Sequence, residues 1–383
     1  MSLLFIHGGG PRKEPPVVRD VHASGRTQRH RERMARRVQE VCTDATSTAE
    51  VIDGLREPFN AALGLSGMLL SATDPDTTAL GTATVVEHLP AEIATPWMHN
   101  EVLVGDFNKF ANLHRTRQGP VTLHRASQGH PHMSPRYREL HQPHGLGAEL
   151  RVVFSRDSAC LGVANLVRGA DDVDFSDDEL QWMQALRPTI AAGLRRTAIM
   201  ADTTGDADDG IGVISLDRDG GLVSMTGEAE RLMADLWLCP FGEEDTYRLP
   251  GEAYMIATLA RARTNRNLKT PQPVTRLRGQ SGRWLTMRGD CTLTTDGEMT
   301  GIVLIIGPSR PAEILPMVVA AYGLTRREQE VLTEISKGQS TAEIAGRLFI
   351  SEHTVRDHIK SILTKTGTSS RGEVMSLLFQ HGG

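Results

Sequence analysis

The stretch Ile350–Leu363, ISEHTVRDHIKSIL, carries two basic residues, Arg356 and Lys360, four positions apart. Val355, Ile359, Ile362 and Leu363 recur in it at the spacing of one buried helix face. On such a helix His353, Arg356, Asp357 and Lys360 cluster opposite the apolar stripe. Arg356 and Lys360 then stand one turn apart and reach the same target. Arginine pairs bidentately with guanine in a major groove, and lysine meets guanine or phosphate. The spacing suits a helix that reads DNA; a solvated charged face on a helical bundle is the bland alternative.

The neighbouring sequence decides between these. Thr325-x-x-Glu328, Ser340-x-x-Glu343 and Ser370-x-x-Glu373 are capping boxes, in which hydroxyl and carboxylate satisfy the orphan amides of a helix start. Gly338 and Gly367 stand where helices should stop. Leu324, Val331, Leu332 and Ile335 supply one further apolar stripe, and Ile344, Leu348 and Phe349 another. The pattern is four helices, the second and third joined by a tight turn at Phe349–Ser351, which is a helix-turn-helix.

These residues carry a resemblance. Leu324–Leu378 holds L-T-x-R-E-x-E-V-L, then G-x-S-x-x-E-I-A-x-x-L, I-S-x-x-T-V-x-x-H, and K-x-G followed by S-R. The segment resembles the LuxR/GerE-type DNA-binding domain. The resemblance implies that Arg356 and Lys360 face bases, and that Thr354 and His358 lie nearer the phosphate backbone or the core. Ser340, Thr341, His353, Asp357 and Lys365 complete the candidate DNA contacts. The last helix, Gly372–Phe379, is the usual dimer contact of that family. From Pro316 onward eight Lys/Arg face seven Asp/Glu, so non-specific affinity should be modest and sensitive to salt.

Outside this module the chain gives broader bounds. Its 383 residues suffice for two or three domains, and 39% hydrophobic with 23% charged residues is ordinary for a globular protein. No apolar run approaches the ~18 residues of a membrane span. The opening MSLLFIHGGGPRKEPP has too short an apolar stretch for a secretion signal, and its basic residues follow that stretch, so we expect a cytoplasmic protein. Cys42, Cys160, Cys239 and Cys291 are scattered, which argues against a zinc module or a disulfide framework. No phosphate-binding G-x-x-x-x-G-K-[ST] occurs, which disfavours ATP hydrolysis. Net charge is −5 but uneven: nine Arg/Lys between Arg12 and Arg37, and four Asp with no base between Asp202 and Asp209. Such asymmetry suggests separate modules.

The order of elements divides the rest. Residues 1–26 read as a disordered basic segment, and TQRHRERMARRVQEVCTD (27–44) as a basic helix. One helix is expected over Thr48–Leu63, from Val51, Leu55, Phe59 and Leu63. ELRVVFSRDSACLGVANLVRG reads as a hairpin, and FSDDELQWMQALRPTIAAGLRR as a capped helix with Pro188 inside it. Residues 27–200 resemble a GAF domain, mainly through this hairpin and the FSDDEL start. An acidic linker follows at 201–210. Residues 211–307 resemble a PAS domain through GVISLDRDGGLVSMTGEAERLM, read as strand, turn, strand and helix, with three more strands over 274–307. A linker with Pro308, Pro311 and Pro316 spans 308–317, and the helix-turn-helix module 318–383. The expected fold class is α+β: GAF-like and PAS-like antiparallel-sheet sensor domains followed by an all-α four-helix domain.

Two other constellations invite chemistry. His114, His124, His130, His132, His141 and His144 lie within 31 residues, but no cysteine or carboxylate accompanies them at a ligand spacing. The start LLFIHGGG is similar to the oxyanion-hole segment of some hydrolases, but no G-x-S-x-G elbow follows. The expected function is therefore a one-component, sequence-specific transcription regulator, not an enzyme, with no cofactor and no metal. The alternative is a metal- or haem-dependent sensor or enzyme with an accessory helix-turn-helix. Expected partners are double-stranded DNA with a palindromic operator, an unidentified small-molecule ligand at the front end, RNA polymerase, and a second copy of the chain in a homodimer, with no membrane.

Overall fold

The computed structural model describes residues 19–75, 77–157, 159–200, 210–236, 249–264 and 272–380. Helix α1 (Arg19–Asp44) opens the described chain. It corrects the expectation of disorder over 1–26: residues 19–26 are helical, and residues 1–18 lie outside the described residues. The apolar stripe at Val51, Leu55, Phe59 and Leu63 is buried as expected. It is carried by two helices, however, α2 (Thr48–Gly54) and α3 (Arg56–Leu63), which meet at Leu55.

Strands β1 (Gly67–Thr73) and β2 (Leu80–Glu87) precede helices α4 (Ala94–Leu103) and α5 (Phe110–Arg115). Strand β3 (Val121–Thr122), helix α6 (Leu123–Ala126) and the hairpin β4 (Leu146–Arg156) and β5 (Ala159–Gly169) follow. The sheet order is β2-β1-β5-β4-β3, every neighbour antiparallel. Alternation along β4 sends Leu150, Val152 and Phe154 to one face and Glu149, Arg151 and Val153 to the other. The first face packs under α1, α2, α3 and α7 (Asp177–Met200). The apolar stripe of α7 expected from the sequence, Leu180, Met183, Leu186, Ile190 and Leu194, is buried in that core together with Met34, Val38 and Cys42 of α1. The Ser176–Glu179 capping box forms: Ser176 N donates to Glu179 Oε2 at 2.8 Å, and Glu179 N donates to Ser176 Oγ at 3.4 Å.

The next unit repeats the plan. Strands β6 (Gly212–Asp217) and β7 (Leu222–Met225) lead to α8 (Gly227–Ala234) and α9 (Gly251–Thr264). Strands β8 (Val274–Arg278), β9 (Trp284–Leu293) and β10 (Met299–Pro308) close an antiparallel sheet of order β7-β6-β10-β9-β8. The acidic stretch expected as a linker at 201–210 lies, but for Gly210, outside the described residues.

The two sheet units share one core. Leu69, Leu80, Trp97 and Met98 of the first belong to the same buried cluster as Ala253, Ile256 and Leu277 of the second. Polar contacts seal the seam. Arg276 Nη1 donates to both oxygens of buried Asp74, at 3.1 and 2.9 Å, and Thr275 Oγ1 donates to Leu80 O at 3.0 Å. Glu252 of α9 is buried there, accepting from Thr84 Oγ1 at 2.7 Å. Burial pushes its carboxyl up from 4.5 to about 7, against the hydrogen bond from Thr84.

The folded chain therefore holds this proton into the neutral range, whereas the unfolded chain releases it near 4.5. The stability contributed by that proton is complete below the lower value and is lost as pH rises through the upper one. Glu252→Gln is expected to flatten this decline and to gain roughly 2–4 kcal/mol at pH about 8. Urea melts of both proteins at mildly acidic and mildly alkaline pH check it; parallel pH dependence would refute it.

The linker expected at 308–317 is corrected. Residues 311–322 form α10 (Pro311–Tyr322). Pro311 is compatible with a helix start because the first amides have no intrahelical acceptor in any case. Pro316 within the helix is offset by burial of Ile314 and Met317 against Trp284. Glu313 reinforces the start by accepting from Arg310 N at 2.8 Å and pairing with Arg288. Four further helices complete the chain: α11 (Arg326–Ser336), α12 (Thr341–Leu348), α13 (Glu352–Thr366) and α14 (Arg371–Gln380). Val331, Leu332, Ile344, Val355, Ile362 and Val374 form their core. The Thr325 and Ser340 capping boxes form, and Gly367 caps α13 at φ 68°. At the third box Ser370 Oγ accepts from Glu373 N at 3.1 Å, but the carboxylate reaches Ser369 N, at 2.7 Å.

Candidate nucleic-acid interface and the buried face of the front unit

Ser351 sets the phase of α13 by accepting from Thr354 N at 3.1 Å. Val355, Ile359 and Ile362 then turn inward against α11 and α12. Glu352, His353, Arg356, Asp357 and Lys360 are left in solvent, as the spacing implies. The exposed face is internally paired. Arg356 Nη2 donates to Glu352 Oε2 at 2.8 Å, and His353 Nε2 lies 3.5 Å from Asp357 Oδ2. Among the described residues Lys360 makes no ion pair. Glu352 was not singled out from the sequence, although its place four residues before Arg356 is the signal for such a pair. An exposed pair of this kind contributes about 0.2–1 kcal/mol, whereas a bidentate base contact gives about 1–3 kcal/mol of discrimination. The Arg356–Glu352 pair therefore costs little to open.

The other candidates are placed differently. Ser340 is exposed at the start of α12, its hydroxyl accepting from Glu343 N at 3.3 Å. Thr341 Oγ1 accepts from Arg371 Nη2 at 2.5 Å and so ties α12 to α14. Thr354 is half-buried in the α13 cap, and His358 is half-buried too. Lys365 does not join the open face. Its Nζ donates to Glu328 Oε2 at 2.7 Å and to Gly323 O at 3.3 Å. Burial raises the Glu328 carboxyl, but hydrogen bonds from Lys365, Ser361 and Thr325 prevail and hold it at about 2. Lys365 thus locks the end of α13 onto the start of α11. Phe349, the turn residue, adopts the left-handed conformation at φ 54° and is 94% exposed.

A second polar constellation lies beneath the first sheet. Arg136 is fully buried and grips Glu149 through Nε at 2.9 Å and Nη2 at 2.8 Å. It also donates to Asn100 Oδ1 at 3.0 Å and Phe107 O at 3.1 Å. Arg151, equally buried, donates to Glu101 Oε2 at 2.7 Å and Asn165 Oδ1 at 2.9 Å. Its guanidinium carbon lies 5.0 and 4.4 Å from the Trp97 and Phe110 ring centroids. Burial pushes the Glu149 carboxyl up, but the Arg136 and Arg151 charges overcome it and leave it well below the usual range. His141 stands 3.7 Å from Glu149, and burial lowers its pKa to about 4, so it is neutral at pH 7. Among the described residues, buried Arg151 Nη2 and His141 Nδ1 have no hydrogen-bond partner. This network was not recognised in the sequence. Its signal was the alternation E-x-R-x-V in ELRVV, which puts charges on an inward strand face.

The six-histidine segment does not converge. His114 Nδ1 lies 2.9 Å from Ser155 Oγ, and His144 Nδ1 2.8 Å from Leu140 O. His124, His130 and His132 are exposed. Among the described residues no three His, Cys, Asp or Glu side chains are grouped to hold a metal ion, and no helix is long and apolar enough to cross a membrane.

The four-helix end is thus a helix-turn-helix unit with an open, charged second helix, the architecture of a DNA-binding module. Residues 323–378 match the family of bacterial regulatory proteins called the luxR family. The spore germination protein GerE of Bacillus subtilis (strain 168) is 42% identical over 59 residues, 15% of this chain and 80% of GerE. The uncharacterized transcriptional regulatory protein YhcZ of the same organism is 54% identical over 50 residues, 13% of this chain and 23% of YhcZ. The chain therefore covers less than a quarter of YhcZ. It belongs to the luxR family of bacterial regulatory proteins. Elsewhere, 42% of the chain is similar to the GAF domain of an Acinetobacter phosphoenolpyruvate-protein phosphotransferase, covering 90% of that structure at 17% identity and a TM-score of 0.30. A Vibrio cholera VqmA–ligand–DNA complex is similar over 45% of this chain and 82% of its own, at 18% identity and a TM-score of 0.20.

Proposed function

We propose that this chain is a one-component transcription regulator that reads a palindromic operator through α13. The observation that carries this is the open face of α13, where His353, Arg356, Asp357 and Lys360 stand clear of a buried Val355–Ile359–Ile362 stripe. In this reading Ser340, exposed at the neighbouring helix start, meets phosphate. The front unit is GAF-like and the central unit PAS-like in this reading, and they receive a small-molecule signal. The protein is cytoplasmic, not an enzyme, and acts as a homodimer with RNA polymerase as a downstream partner. The apolar stripes of α1 and α7 are already buried within one chain, so the dimer contact falls on α14 or on polar surface. Hydrodynamic sizing of the full chain tests the dimer, and a monomer that binds a palindrome undiminished would refute it.

Operator sequences are recovered by selecting random duplexes on the full chain. Arg356→Ala is then expected to lose about 1–3 kcal/mol on the selected site and to relax preference at one base pair. Lys360→Ala does the same if it meets a base, and weakens all sequences alike if it meets phosphate. Equal affinity of Arg356→Ala and the parent protein for that site would refute the assignment.

A further inference from the structure

The exposed face of the first unit carries a second feature that DNA recognition does not use. Between the end of α5, the tip of the β4–β5 hairpin and one side of α7 lies a cleft of about 830 Å³, within the ~300–1,000 Å³ range of small-molecule sites. Arg115, Arg117, Arg156 and Arg187 line it, with Asp157 as the one carboxylate among the lining residues. Among the described residues, none of those four arginines makes an ion pair. Arg115 Nη2 donates to the neutral Asn112 Oδ1 at 3.1 Å. Arg187 Nε donates to Val153 O at 3.0 Å and its Nη1 to Gln184 Oε1 at 3.0 Å.

Elsewhere the same fold pairs its arginines with care: Arg31 and Arg168 on Glu179, Arg136 and Arg151 on Glu149, Arg276 on Asp74. Four guanidinium groups left around one concavity repel each other and lower its affinity for cations. They also create a focused positive potential. Burial lowers the pKa of Arg187, so taking that guanidinium out of water has a cost that a bound anion would offset. Guanidinium forks match phosphate oxygens bidentately, which makes phosphate the fitting chemistry.

We propose that this cleft binds a small, multiply charged phosphate compound. A flat patch would suit DNA backbone; a concavity walled on three sides suits a compact ligand. Its placement gives the ligand a route to the output module. Gln184, Arg187 and Ala191 form the α7 wall, and one turn beyond Ala191 on the same stripe comes Arg195. A Cβ built on Gly323, the left-handed cap of α10, would stand 3.0 Å from Arg195 Nη1. Helix α10 packs along α7 and leads directly into α11. An occupant that draws Arg187 inward therefore acts on the same helix about two turns from Arg195, at the joint with the DNA-binding helices. This regulatory consequence rests on the transcription-regulator reading; the binding itself does not.

Titration calorimetry of the full chain with inorganic pyrophosphate, without DNA, tests the proposal. Saturable binding at one site per chain is expected, falling roughly tenfold or more in Arg117→Glu/Arg156→Glu. Arg115→Gln, which changes an exposed side chain without reversing its charge, is expected to weaken binding in the same direction and keeps the test valid if the double variant is unstable. Absence of saturable binding to the parent chain, or unchanged binding in folded variants, overturns the proposal. So does displacement of pyrophosphate by a short duplex lacking the operator, together with weaker duplex binding by Arg115→Gln, because the cleft would then serve DNA backbone.

Discussion

Arg136→Ala is expected to destabilise the front unit by about 3–5 kcal/mol, the scale for breaking one side of a buried ion pair. The loss is not that of a single contact. Arg136 is fully buried and satisfies both oxygens of Glu149, Asn100 Oδ1 and Phe107 O. Without it Glu149 keeps Arg151 as its one nearby cation, through a single bond of 3.2 Å, and remains fully buried. The penalty should depend on pH. In the parent protein the depressed Glu149 carboxyl contributes stability that is present above its ordinary value and lost as pH falls. In the variant that carboxyl is less depressed, so the gap between the two proteins narrows toward acid pH. Denaturant melts at neutral and acidic pH check this, with Arg136→Ala/Glu149→Gln completing a double-mutant cycle. If Arg136→Ala melts with the parent at pH 7, the network contributes nothing to stability. If the double variant is no more stable than Arg136→Ala, the stranded charge is not the cause.

Ile359→Asp is expected to abolish DNA binding by unfolding α11–α14 while leaving the sheet units and α10 folded. Ile359 is 8% exposed and packs with Val355 and Ile362 at the centre of the four-helix core. An unpaired carboxylate at that site costs several kcal/mol, and a module of about 60 residues has little stability in reserve. Limited proteolysis of the full chain should show early cleavage after α10, with loss of helix signal and no specific operator binding. Ile359→Val retains the apolar contact and should lose only about 0.5–1.5 kcal/mol. A folded, operator-binding Ile359→Asp chain would contradict the helix phase on which the placement of Arg356 rests.

Features whose physics is local are written in the chain. A hydroxyl and a carboxylate three residues apart start α11 and α12 because the amides they satisfy are in the same turn. The phase of α13 follows from its own apolar spacing, and with it the exposure of Arg356 and Lys360. The β4–β5 hairpin and the five strands of the second sheet were legible from short apolar runs and the turn residues between them.

Tertiary structure alone decided the rest. Of the proline-marked linker expected at 308–317, Pro308 ends β10 and residues 311–317 became part of α10, because burial of Ile314 and Met317 against Trp284 outweighs the cost of Pro316. The sheet units, suggested by charge asymmetry to be separate, share a core sealed by Asp74–Arg276 and Thr84–Glu252. Lys365 pairs with Glu328, distant in sequence and adjacent in space. The charged network at Arg136, Glu149 and Arg151 and the cleft shared by Arg117 and Arg187 have the same origin. Each charge takes its partner, or lacks one, according to which strands and helices the fold brings together, and separations of dozens of residues leave no periodic trace in the chain.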